Sequence, residues 1–199
     1  MPAVVECVIR TADGLFLVRD VSADTAAAQQ GAADAARIPG SRAGRGHGAA
    51  GSVLLVRCAD QLSRPYLRIE ILDAEPADTP PWLWEPHATL DLPTGRILVD
   101  AADNDVPAAV LDIDAGAGPG SYAVSLGHSG RAEMREAARR VREETLYASV
   151  DDTMAAWRSL EGLERYLVRF WPLRETGGGD ARRAAWSTPT SPTGWSATG

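Results

Sequence analysis

The sequence predicts a mainly β protein, an antiparallel β-sandwich of two related hairpin-rich units with one surface helix. Three observations point there. Short runs rich in Val, Ile, Leu and aromatic residues recur between turns containing Gly or Pro. One run, Tyr66-Leu67-Arg68-Ile69-Glu70-Ile71-Leu72, alternates apolar and charged residues with a period of two, as a strand with one wet face does. The third is a repeated course of strand, Gly-containing turn and strand. It reads ECVIRTADGLFLVRD at 6–20 and HATLDLPTGRILVD at 87–100.

The first unit spans 1–22 and 51–75. It opens with two β-rich runs around Asp13-Gly14, a pair that reads as a hairpin turn. Residues 23–50 read as a flexible insertion. Ala23 to Arg37 has helical propensity through alanine but no apolar stripe to dock, and Pro39 onward is Gly- and Arg-rich linker. Strands are expected again at 52–58 and 66–72, followed by an acidic, Pro-rich connector from Asp73 to Pro81.

The second unit, 82–173, repeats the grammar. Pro93-Thr94-Gly95 turns between two strands, and AVLDID (109–114) leads through a Gly-rich hairpin loop into GSYAVSL (120–126). A helix is expected over 131–145, with Ser129 as N-cap and Met134, Ala137, Ala138 and Val141 as its apolar face. Asp151 to Trp157 adds a short helical turn, and Glu164 to Pro172 forms the last strand. The Gly-, Ser- and Thr-rich residues 174–199 read as a disordered tail.

The bulk charge narrows the function classes. A formal charge of −7 over 199 residues argues against a nucleic-acid ligand, which needs a basic face to displace counterions. It suits a protein partner with a basic surface. All 20 basic residues are arginine, the bias of a GC-rich genome. No signal peptide precedes the first strand, and no apolar run approaches the ~20 residues of a membrane span, so a cytoplasmic location with no membrane partner is expected. Cys7 and Cys58 both lie in apolar runs and read as buried free thiols.

Chemistry-bearing residues are sparse. His47, His87 and His128 stand far apart, and no Cys-x-x-Cys accompanies them. No nucleophile elbow and no phosphate-binding Gly motif is present. No catalytic residue and no cofactor is therefore assigned. Asp100, Asp103, Asp105, Asp112 and Asp114 are the candidate hard oxygen ligands for Ca²⁺, against the simpler reading of solvated acidic loops. Trp82 and Trp84 are the candidate partner-binding residues, against a role in capping the core.

The runs ATLDLPTGRILV (88–99), VLDIDAGAGPGSYAVSL (110–126) and ERYLVRFWP (164–172) resemble a β-sandwich domain of the competence protein J family. Pro119, Gly120 and Tyr122 carry the turn of that pattern, and Tyr166, Leu167, Trp171 and Pro172 its final strand. The resemblance covers 84–172 and implies the sandwich fold. Members of that family inhibit the DNA-entry nuclease, so it also implies an inhibitor, although these motifs are structural and transfer no inhibitory residue. The function expected is a non-catalytic protein-binding or inhibitor-type protein. A calcium- or small-ligand-binding sandwich and an enzyme are the alternatives.

Overall fold

The computed structural model describes residues 3–23, 25–36, 46–78, 80–85, 87–101 and 110–173. The expected disordered tail, Asp103 and Asp105 lie outside them. The chain begins with β1 (Ala3–Val8), β2 (Leu15–Asp20), α1 (Thr25–Ala35), β3 (His47–Ala50), β4 (Val53–Arg57) and β5 (Tyr66–Ile71). It continues through β6 (Leu83–Trp84), β7 (Ala88–Leu92), β8 (Arg96–Asp100), β9 (Val110–Asp114) and β10 (Gly120–Ser129). Two helices, α2 (Arg131–Glu144) and α3 (Val150–Arg158), precede the last strand, β11 (Arg165–Pro172).

The strands form two sheets. The first has the order β1-β5-β11-β10-β6, with β7 also paired to β10, and the second the order β3-β4-β2-β8-β9. One apolar core lies between them. Phe16, Val18, Leu54, Val56, Ile97 and Val99 from the second sheet meet Leu67, Ile69, Leu90, Tyr122, Val124 and Phe170 from the first. The period-two reading of β5 holds, with Leu67, Ile69 and Ile71 buried and Tyr66, Arg68 and Glu70 partly wet.

The expected hairpins are corrected to corners between sheets. Asp13 (φ 50°) and Gly14 (φ 71°) do make a tight two-residue turn, closed by mutual Ala12–Leu15 backbone hydrogen bonds of 2.8 and 3.1 Å. The ladder stops at that single pair, however. β1 leaves for the first sheet to pair β5, and β2 enters the second between β4 and β8. β7 and β8 part in the same way, as do β9 and β10. A turn residue specifies local reversal, whereas the partner of each strand is chosen by which core face its apolar residues must cover.

Both units follow one itinerary through the sheets. β1, β2, β4 and β5 visit first, second, second and first sheet; β7, β8, β9 and β10 do the same. The correspondence reaches individual contacts. Cys58 N–H donates to Gly14 O at 2.7 Å, and Ala115 N–H donates to Gly95 O at 2.9 Å. A Cβ added to Gly14 would lie 2.7 Å from Asp60 O, and one added to Gly95 would lie 2.7 Å from Gly118 O. Strands β1 to β5 and β6 to β11 thus lie side by side, each set supplying one contiguous half of both sheets. β11 sits between β5 and β10, which run in opposite directions, so it is parallel to β5 and antiparallel to β10. That placement makes the first sheet mixed, where an all-antiparallel sandwich was expected.

Among the described residues there are three helices: α2 is the expected surface helix, α3 extends the short helical turn read at 151–157, and α1 was not expected to dock. Residues 23–50, read as a flexible insertion, include α1 and β3. α1 needs no stripe of large side chains, because it docks on small ones. Ala32 is buried with Leu17, Val53 and Leu55, and the approach is so close that a Cβ on Gly48 would come within 2.6 Å of Ala36 N.

Asp20, fully buried at the end of β2, ties the turn between β7 and β8 to the second sheet. It accepts from Ser22 N–H (2.8 Å) and Ser22 Oγ (2.6 Å), and from Thr94 N–H (3.0 Å) and Thr94 Oγ1 (2.8 Å). Burial alone would raise its pKa, but these four hydrogen bonds outweigh it and hold the carboxyl below its ordinary 3.8. A depressed folded pKa means that the unfolded chain takes up the proton first. The stabilisation is therefore complete above pH 3.8 and is lost as pH falls through the lower folded value. Asp20→Asn should melt lower than wild type at pH 7, and the gap should close in acid. A gap unchanged down to pH 2 would remove the ionised carboxylate from the account.

Candidate partner-binding surface

The excursion from β10 to β11 is firmly anchored at its base. β10 ends at Ser129, so the expected serine cap is replaced by Gly130, which is left-handed (φ 75°) and provides no side-chain cap. Arg131, the first residue of α2, donates through one guanidinium nitrogen to Arg57 O (2.8 Å) and Tyr166 Oη (2.9 Å). At the other end Glu164 is buried. Its carboxylate accepts from Ala59 N–H (2.8 and 3.1 Å), Ser63 Oγ (2.9 Å) and Tyr166 Oη (2.6 Å), with Arg131 Nε at 3.9 Å. Burial pushes the Tyr166 phenol pKa upward, as do Cys58 and Glu164, so it serves as a neutral donor. Cys58 is likewise raised by burial and by Glu164; both cysteines are free thiols, Cys58 buried as expected but Cys7 only half-buried.

Above that base α2 buries the expected face of Met134, Ala137, Ala138 and Val141. On its exposed side Arg139 pairs with Glu143 at 2.6 Å and with Glu136 at 2.6 Å. Arg142 bonds Asp60 at 2.5 Å and lies 5.2 Å over the Trp157 ring. Arg64 pairs with Glu161 beside the returning chain.

α3 is different in kind. Ser149 caps it, accepting from Asp152 N–H at 3.1 Å, yet none of its residues is buried. Val150 and Met154 share one face at i,i+4 spacing, and Leu146 and Tyr147 lie in the turn just before. Their exposures are 78%, 54%, 68% and 95%. A nine-residue helix is far too short to hold itself in water, so its docked geometry depends on Trp157, Arg142 and the anchored chain ends. Four large apolar side chains are thus presented to solvent on a fixed support. This exposed cluster is not among the residues that motifs or ligand spacing single out. The spacing of Val150, Met154 and Trp157 was the available signal, but periodicity does not tell which helix face lacks a partner.

The two tryptophans part company. Trp84 packs below the Arg169 guanidinium (5.4 Å), and its Nε1–H donates to Pro80 O at 3.1 Å. Arg169, itself buried, holds Glu70 (2.8 Å) and Asp78 (3.1 Å) and so binds the connector onto the outer face of the first sheet. Trp82 instead lines a groove of about 480 Å³ with Leu83, His128, Arg131 and Arg135.

Of the candidate acidic ligands, Asp100, Asp112 and Asp114 lie among the described residues, and each has its own partner. Asp100 is buried and pairs with Arg19 at 2.8 Å, Asp112 pairs with Arg96, and Asp114 accepts from Gly116 N–H at 2.8 Å. Among the described residues no three His, Cys, Asp or Glu side chains form a metal-binding group. His87 packs edge-on to Trp171 at 5.4 Å. His47 and His128 do approach each other through Glu85, with nitrogen–oxygen distances of 3.7 and 3.4 Å. Burial lowers the His128 pKa, Arg131 adds to that, and Glu85 opposes it. This contact joins the two sheets, and it was hidden while His47 was read as linker. No described helix is long and apolar enough to cross a membrane.

No known family profile matches the chain, and no curated protein matches it. Two solved structures are similar. One, described as crocagin biosynthetic gene J, is 17% identical with a TM-score of 0.49, over 87% of this chain and 99% of that one. The other is ComJ, inhibitor of the DNA degrading activity of NucA, from Bacillus subtilis. It is 12% identical with a TM-score of 0.43, over 87% of this chain and 96% of that one. Both matches extend beyond 84–172 to 87% of this chain, at low identity.

Proposed function

We propose that this chain is a cytoplasmic, non-catalytic protein-binding protein of the inhibitor type, and that it grips its partner through the turn before α3 and the α3 face. One observation carries the reading: Leu146 and Tyr147 in the turn before α3, and Val150 and Met154 on α3, are all exposed, and no residue of that supported helix is fully buried. The magnitudes are adequate. Burying a large apolar side chain contributes roughly 1.5–3 kcal/mol. Four such anchors together are comparable to the roughly 4–15 kcal/mol that association costs. An aromatic anchor such as Tyr147 fits the composition of binding hot spots. The inhibitor reading adds only that the partner's functional surface is what becomes covered.

The test is affinity capture from host extract with three baits: wild type, Tyr147→Asp and Met154→Asp. A stoichiometric protein should remain on wild type and fall at least tenfold on both variants, with melting temperatures within a degree or two of wild type. Equal recovery on all three baits would exclude this surface.

A further inference from the structure

Resting on that reading, we infer that the partner surface received by α3 is basic, with arginine or lysine side chains flanking the socket for Tyr147. The argument is the charge around the apolar cluster. Residues 143–157 carry Glu143, Glu144, Asp151 and Asp152 and no basic residue. Glu143 is neutralised by Arg139, and the Asp152 carboxylate accepts from Ser149 Oγ at 2.7 Å. Glu144 and Asp151 make no ion pair among the described residues. Of the nearby cations, Arg139 is engaged with Glu136 and Glu143 and Arg142 with Asp60 and the Trp157 face, while Arg158, the last residue of α3, donates through Nε to Met154 O at 3.2 Å. The cluster is therefore an apolar centre whose rim is acidic on both sides of Tyr147 in the chain, with Arg158 at the far end of α3.

That rim separates the occupants an apolar helix face can have. A second copy would bring the same carboxylates against these. A membrane of anionic lipid would repel them within a Debye length, roughly 8 Å at physiological salt. A basic protein surface gains on both counts, since it is steered in by long-range attraction and paired at the rim after docking.

The experiment selects a random peptide display library on the full chain and counter-selects on Tyr147→Asp. Peptides that require Tyr147 should carry Arg or Lys around an aromatic or aliphatic residue. Their binding should weaken at least tenfold between 50 and 300 mM NaCl, and again in Glu144→Arg/Asp151→Arg. Tyr147-dependent peptides that are neutral or acidic, or indifferent to salt, would overturn the basic partner while leaving the docking surface intact. A library yielding no Tyr147-dependent binder would instead sink the docking surface, and this inference with it. Two parallel measurements test the other occupants. Self-association that Tyr147→Asp abolishes would assign the face to a second copy. Tyr147-dependent binding to phosphatidylcholine vesicles containing phosphatidylserine would assign it to lipid. Either result overturns the inference.

Discussion

Glu164→Ala is expected to destabilise the protein by about 3–4 kcal/mol, among the largest effects of any single polar substitution here. The carboxylate is buried and accepts hydrogen bonds from Ala59 N–H, Ser63 Oγ and Tyr166 Oη. Truncation leaves three buried donors without their acceptor and a cavity beside the Tyr166 ring. For a chain of this length, each kcal/mol corresponds to roughly 2–4 °C in Tm, so a drop near 10 °C is the expected reading in a thermal melt. Glu164→Gln keeps the shape and one strong acceptor and should lose about half as much. A melting temperature within a degree of wild type for the alanine variant would show that water replaces the carboxylate freely.

Gly130→Ala should cost about 3 kcal/mol or more through an unrelated mechanism. Gly130 is left-handed (φ 75°), which by itself costs an L-residue roughly 1–2 kcal/mol. A Cβ there would also press into the Leu163 carbonyl, lying 3.0 Å from its carbon and closer still to its oxygen. That carbonyl is backbone and immediately precedes Glu164, so it cannot move away without pulling the carboxylate off its donors. The two variants should therefore be non-additive. Combined with Glu164→Ala, the glycine substitution should cost at least 1 kcal/mol less than it does alone, as read by denaturant unfolding. Strict additivity would mean that the two ends of the helical excursion are anchored independently.

Much of the β framework was legible in the residues. The period-two alternation of 66–72, the Gly turns at 14 and 95 and the buried face of α2 are each written within a window shorter than fifteen residues. Such signals report the environment that a local stretch needs. The polar anchors were not legible, and Glu164 shows why. In sequence it opens a strand and resembles any surface carboxylate, yet two of its three donors come from Ala59 and Ser63, more than 100 residues away. His47 was lost for a related reason. It lies in a Gly-rich stretch that looked unstructured, and only the Gly48 contact with α1 and the pairing of β3 with β4 reveal it as an edge strand.

What the residues settle is that short strands with interior-facing Leu, Ile, Val, Phe and Tyr pack as sheets over apolar cores, because alternation leaves each strand one face that water disfavours. They do not determine which sheet each strand joins. Asp13-Gly14 specifies a reversal, but whether the flanking strands pair or part depends on competing partners far along the chain. Tertiary structure alone placed β11 between two oppositely directed strands and so made one sheet mixed. It alone also left the α3 face uncovered, since a helix period marks an apolar side without saying whether this chain supplies the surface that will cover it.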